Sequence, residues 1–229
     1  MSKPIDAIKQ VAHRRMPPQQ RRAQILTAAK EMFTEQGVIS VTMRALGRRC
    51  GITQASIYQH FVDKDAILGA ICDDYFTQML DQFQIAAAAA QDPLSRLLAV
   101  MRVYLDFGLA HPEEYQLTFM SPVSHSHPVP PDGSLEAHPK AGTMSFHFLQ
   151  DLVADLMASG QLRPGDANAV AEAIWACGHG LVALLITQKQ FIHSDYAALR
   201  EAHLDLILNG ILVEHVALAH DRPSVQNTG

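Results

Sequence analysis

From Arg21 onward the apolar residues of this chain recur at helical spacing with little interruption, and no stretch shows the two-residue alternation of a strand. That pattern restricts the fold to the all-α class. The punctuation between periodic segments is equally legible. Ile25, Ala29, Met32 and Phe33 form one face, and Gly37 ends that helix as a C-cap. Thr42 caps a second, short helix whose inward residues are Met43, Leu46 and Cys50. Gly51 supplies a tight turn, and Thr53 caps a third helix of about two turns, anchored by Ile57 and Phe61. Asp63 then caps a long helix with a double apolar stripe from 67 to 83, wide enough to pack against two neighbours.

After an alanine run at 86–90, Asp92-Pro93 opens a helix with Leu94, Leu97, Leu98, Met101, Tyr104 and Leu105 on one stripe. In "HPEEYQLTFM" (111–120), Pro112 restarts a short helix and places Glu113 and Glu114 in its favourable first turn. The five prolines of 121–139 predict a flexible loop. Helices are predicted around 140–158, over 166–189 and from Asp195 to about 218.

The net charge of −5 hides an asymmetry. Residues 1–64 carry eleven Lys and Arg against four acids, a local +7, and the remainder carries −12. A basic module on an acidic body predicts a polyanionic partner for the module alone. The organisation that follows is a basic arm at 1–20, a small helical domain at 21–66, a larger one at 67–218 and a tail at 219–229. Cys50, Cys72 and Cys177 are too few and scattered for a disulfide framework or zinc site, and each reads as a small buried hydrophobe. The N-terminus lacks the form of a secretory signal, and no apolar run looks long enough to span a bilayer. A cytoplasmic protein without a membrane partner is expected.

Residues 42–61 read as helix, glycine turn, short helix, with a supporting helix at 21–36. This is a helix-turn-helix, whose second member presents its first residues to base edges in the major groove. It accounts for "GITQASIYQHF" at 51–61. Only Ile57 and Phe61 need burial, which leaves Thr53, Gln54, Ala55, Ser56, Tyr58 and His60 to face double-stranded DNA. Hydroxyl and imidazole groups there suit phosphate; Gln54 suits an adenine edge and Arg44 a guanine edge. Lys64 sets a cation beside the backbone.

The stretch 22–68 resembles the DNA-binding domain of the TetR family of transcriptional regulators. The likeness rests on Ala28, Ala29, Phe33, Gly37, Thr42, Arg44, Gly51, Ile57, Tyr58, His60-Phe61, Lys64 and Leu68. It implies phosphate contacts from Thr42, Tyr58 and Lys64, and base contacts from Arg44, Gln54, Ala55 and His60. Gly47 and Cys50 stand where that family usually has alanine. Downstream, "HPEEYQLTF", "GQLRPGD" and "AIWACGHGLVAL" resemble the TetR subgroup named for a Trp-His-Gly motif, here Trp175, His179 and Gly180.

The resemblance implies a pocket for a partly apolar small-molecule effector, with Tyr104, Phe107, Tyr115, Phe119, Met120, Met144, Phe148 and Trp175 as lining candidates. His179, one turn beyond Trp175, would orient a polar ligand group. Ala173, Ala176, Gly178, Gly180 and Ala183 on one terminal helix and Gly210 on the other let helices approach closely, as in a four-helix homodimer interface. The expectation is a ligand-responsive regulator, a repressor binding a palindromic operator, with no cofactor, no metal and no enzymatic activity. Two rival readings use His125, His127, His138 and His147: a metal-responsive DNA-binding regulator, and a metal-dependent hydrolase. The second lacks a nucleophile elbow, a phosphate-binding loop and a His-Glu-x-x-His run.

Overall fold

The computed structural model describes residues 16–121 and 140–213. The regular elements among those residues are all helices, apart from one isolated antiparallel bridge between Leu162 and Leu212. The chain divides into two compact units, Met1–Leu68 and Gly69–Gly229.

In the first unit α1 spans Pro18–Gln36, α2 Met43–Arg49 and α3 Gln54–Tyr58, and α4, Lys64–Ala89, begins. The first helix starts three residues before the predicted Arg21. Pro18 takes its first position, where a missing N–H costs nothing, and Arg21 N–H donates to Pro17 at 3.0 Å. Gly37 has a left-handed φ of 76° and closes α1 through its N–H to Phe33 O. Ile25, Ala29, Phe33, Leu46, Ile57 and Phe61 are buried together with Met43 and Cys50. α3 is shorter than its predicted two turns. It stops at Tyr58, and His60 and Phe61 N–H both fold back onto Ile57 O.

The second unit contains the rest of α4, then α5 (Pro93–Ala110), α6 (Pro112–Tyr115), α7 (Lys140–Ala158), α8 (Ala167–Thr187) and α9 (Tyr196–Ile211). α6 runs directly into a π-helical turn, Gln116–Met120. α5, α7 and α8 pack on one another, and their core includes Leu97, Leu105, Val153, Leu156, Ala171, Ile174 and Val182. α9 ends at Ile211, short of the predicted 218. Leu212 turns extended there, and the backbone bonds Arg163 N–H to Ile211 O and Val213 N–H to Gln161 O replace the helical ladder. The 1–15 part of the arm, residues 122–139 of the predicted loop and everything after 213 lie outside the described residues.

Two expectations are overturned. Cys50 and Cys72 are buried, but Cys177 is exposed on α8 and is not the small buried hydrophobe expected. α8 has 21 residues and a mean hydropathy of 1.8 over its most apolar stretch, which is the length and composition of a membrane-crossing helix. Glu172 and His179 break the run to the eye, but the residues around them keep its average high. Only 28% of that stretch is buried, so much of an apolar helix stands open.

Candidate nucleic-acid interface and aromatic cluster

The recognition geometry grows from a tight turn. Gly51 adopts a φ of 68°, and Ile52 N–H donates to Gly47 O at 2.9 Å. A Cβ on Gly47 would lie 2.9 Å from the Ile52 carbonyl oxygen, so glycine here lets the turn close against α2. Thr42 Oγ1 accepts from Ala45 N–H and Thr53 Oγ1 from Ser56 N–H, each at 3.1 Å. These caps fix where α2 and α3 start. Ile57 anchors α3 inward, while Thr53, Gln54, Ala55 and Tyr58 are exposed, and Ser56 and His60 are half-buried. Gln54 Nε2 reaches the Tyr58 hydroxyl at 3.4 Å. Arg44 is exposed on α2, whereas Arg49 pairs with Glu31 at 2.7 Å.

Lys64 has a task the sequence did not reveal. Its ammonium donates to the carbonyls of Val38, Ile39 and Val41 at 2.6, 3.1 and 3.2 Å. It therefore ties the start of α4 to the loop that delivers Thr42, and all three of its protons are engaged.

In the second unit six of the sequence-predicted residues converge. Tyr104, Tyr115, Phe119, Trp175 and His179 lie in mutual ring or hydrogen-bond contact, and Phe107 joins them through Tyr75. Three glycines seat these rings. A Cβ on Gly178 would lie 3.3 Å from the Tyr104 ring, one on Gly108 3.1 Å from Tyr115, and one on Gly142 3.0 Å from Phe76. Gly178 is thus a packing site inside the unit and not part of an open stripe.

A hydrogen-bond chain crosses the cluster. Trp175 Nε1–H donates to Tyr104 Oη at 3.2 Å, the Tyr104 and Tyr115 hydroxyls are 3.3 Å apart, and Tyr115 Oη lies 2.6 Å from His179 Nδ1. With a neutral imidazole accepting at Nδ1, every hydroxyl donates once along the chain. Burial supports that state: it lowers the His179 pKa, pushes Tyr104 up to about 12, and raises Tyr115 further.

Other predicted residues lie elsewhere. Met144 is 55% exposed on α7 and Met120 is exposed, so neither is enclosed. Phe148 stacks on Phe83, and it is Phe146 that meets Trp175, at 6.2 Å between ring centroids. The sequence reading missed Tyr75, Phe76 and Phe146. Tyr75 lies in the α4 stripe and looked like plain core. Its hydroxyl was the available signal, because a phenol in an apolar stripe needs a partner.

Among the described residues no three His, Cys, Asp or Glu are grouped to hold a metal ion. His147 is exposed on α7, and His125, His127 and His138 lie outside the described residues.

Two family models match the chain. Residues 25–71 match the bacterial regulatory proteins of the tetR family, and residues 97–207 match the tetracyclin repressor-like C-terminal domain. The chain belongs to the TetR family. Members of this family are regulatory proteins and not enzymes. The chain is 29% identical over 105 residues to the transcriptional activator FasR of Mycolicibacterium smegmatis, covering 46% of this chain and 48% of the relative. It is 29% identical over 80 residues to the transcriptional repressor KstR2 of the same organism, covering 35% and 39%. It thus spans about half or less of the length of these curated relatives. A tetR family regulator from Shewanella superposes with a TM-score of 0.69 at 18% identity, over 84% of this chain and 98% of that one, which shows a shared fold. Neither metal-based rival reading gains support from these TetR matches.

Proposed function

We propose that this TetR-family chain is a ligand-responsive, DNA-binding transcriptional regulator, and that it acts as a homodimeric repressor on a palindromic operator. The observation that supports it best is the capped α2-turn-α3 unit, which buries Ile57 and exposes Gln54, Ala55 and Tyr58 on one short helix beside Arg44. Thr42, Thr53, Ser56 and Tyr58 serve phosphates by hydrogen bonds and Lys64 by its charge, and Arg44, Gln54, Ala55 and His60 read bases. A two-fold dimer would set two such heads one helical turn or a multiple apart. The dimer reading draws on the open face of α8, formed by Ala169, Ala173, Ala176 and Leu184 with half-buried Gly180, and on Ala198, Ala202, Leu206 and Gly210 of α9.

The effector site is the aromatic cluster of the second unit, and the Trp-His-Gly signature acts there through Trp175 and His179. Effector uptake lowers DNA affinity because the ligand prefers one of two conformations. α4 is the covalent link, starting at Lys64 and carrying Tyr75. The experiment is a titration of operator DNA with purified protein, followed by a promoter fusion with and without the gene. Reporter output rising on deletion supports repression, and output falling assigns activation.

A further inference from the structure

Tyr75 is only 2% exposed, yet its hydroxyl makes no hydrogen bond among the described residues. Its ring is boxed by Phe107 at 5.1 Å, Phe76 at 5.8 Å and Phe119 at 6.3 Å. A buried hydroxyl without a partner is costly, and native proteins tolerate it mainly where another molecule completes the bond. The neighbouring phenols cannot complete it. Neither the Tyr104 nor the Tyr115 hydroxyl is a hydrogen-bond partner of the Tyr75 hydroxyl, and these two bond to each other and to His179 instead. Tyr75 is therefore the phenol of this cluster with a proton still to offer.

The charges around the cluster decide what kind of acceptor fits. Among the described residues, no Lys or Arg acts on Tyr75, Tyr104, Tyr115 or His179; the Glu114 carboxylate acts on Tyr75. Arg102 and Arg200 on the α5–α9 side are committed to Glu201 and Asp106 at 2.6 and 2.9 Å. An anionic group placed beside Tyr75 would lose its hydration with no cation among the described residues to replace it. A carbonyl would lose little and gain the phenol proton.

We propose that the effector is an uncharged, ring-containing molecule whose carbonyl oxygen accepts a hydrogen bond from the Tyr75 hydroxyl. Its ring body lies among Phe76, Phe107 and Phe119. This rests on the effector reading of the same cluster and narrows it to a chemical class.

Calorimetric titration of the full chain tests it with matched probes. The ketones are acetophenone, acetylnaphthalene and phenylcyclohexanone. Each is compared with its hydrocarbon analogue (ethylbenzene, ethylnaphthalene, phenylcyclohexane) and its carboxylate analogue. The best-fitting ketone should bind about tenfold more tightly than its hydrocarbon. Tyr75→Phe, which removes one oxygen and keeps the ring, should abolish that preference while hydrocarbon affinity stays the same. A thermal melt of Tyr75→Phe no lower than wild type excludes a folding defect. A carboxylate that binds best, or a ketone preference that survives Tyr75→Phe, overturns the proposal. If such a carboxylate also releases operator DNA, the effector reading stands and only the chemical class fails. Absence of binding by every probe overturns the class as well, and the effector reading is then judged by whether an organic extract of cells releases the DNA.

Discussion

The Tyr115 hydroxyl lies 2.6 Å from Nδ1 of His179, and this short bond joins α6 to the middle of α8. The two residues are far apart in sequence, and their rings stack at 19° with centroids 5.5 Å apart. The bond works best with a neutral imidazole, since a proton on Nδ1 would reverse the chain running from Trp175.

Acid should weaken the fold through this contact. Burial holds the folded-state pKa of His179 and of His203 below the usual 6.5. The unfolded chain then binds more protons, so the stabilisation is complete above about pH 6.5 and is lost as pH falls below it. Glu201 and Asp92, lowered from 4.5 and 3.8, add their own losses only further into acid. Melting temperature should fall between about pH 7.5 and about pH 5. His179→Asn, which keeps an acceptor for Tyr115 but does not titrate, should shrink that slope. An unchanged slope would count against the neutral chain.

The seated rings give a test of packing. Alanine at a helical glycine gains about 1 kcal/mol of propensity where space is open. At Gly108 the new methyl would lie 2.9 Å from Val182 Cγ1 and 3.1 Å from Tyr115, and overpacking of this kind costs about 1–3 kcal/mol. Gly108→Ala should therefore destabilise on balance, and Gly178→Ala, at 3.3 Å from Tyr104, should be close to neutral. Chemical denaturation of the two variants decides it; equal stabilisation of both would show that the rings give way freely.

Lys64 should act twice. Lys64→Met keeps the stem and removes the three bonds to Val38, Ile39 and Val41, so amide exchange across 37–42 should quicken by about tenfold or more. The same variant should flatten the salt dependence of DNA binding by about one unit if its charge also serves a phosphate. Unaltered exchange would remove the clamp.

The open faces of α8 and α9 predict assembly. Leu206 is 76% exposed, so Leu206→Glu should leave the fold of one subunit intact and yield monomers that have lost tight operator binding. Gly180→Leu should do the same by wedging α8, where its Cβ meets nothing in a single subunit. Sedimentation velocity at micromolar concentration checks both. A wild-type monomer would reject the dimer, and a dimeric Leu206→Glu would move the interface elsewhere.

The helices and their caps were legible because each is local: Thr42, Thr53, Asp63 and Asp195 all accept the bonds expected of N-caps. The α7 limits matched the sequence reading at 140 and 158. The end of α9 was not legible, because a non-local bridge to Leu162 sets it. The aromatic cluster was half legible. Periodicity marks Tyr104 and Trp175 as inward or semi-inward but cannot tell which of Phe146 and Phe148 meets Trp175. Tyr75 escaped because its orphan hydroxyl appears only when every neighbour is placed, and the Lys64 clamp because its partners are backbone atoms with no sequence signature.

The central claim is sequence-selective DNA recognition by α3. Selection from a random duplex pool with the purified chain measures it most directly, with Gln54→Ala run in parallel. The account predicts enrichment of an inverted repeat whose half-sites lie about one helical turn or a multiple apart, with preference relaxed at particular bases in Gln54→Ala. Enrichment of no motif, with equal affinity for scrambled DNA at every salt concentration, would contradict it.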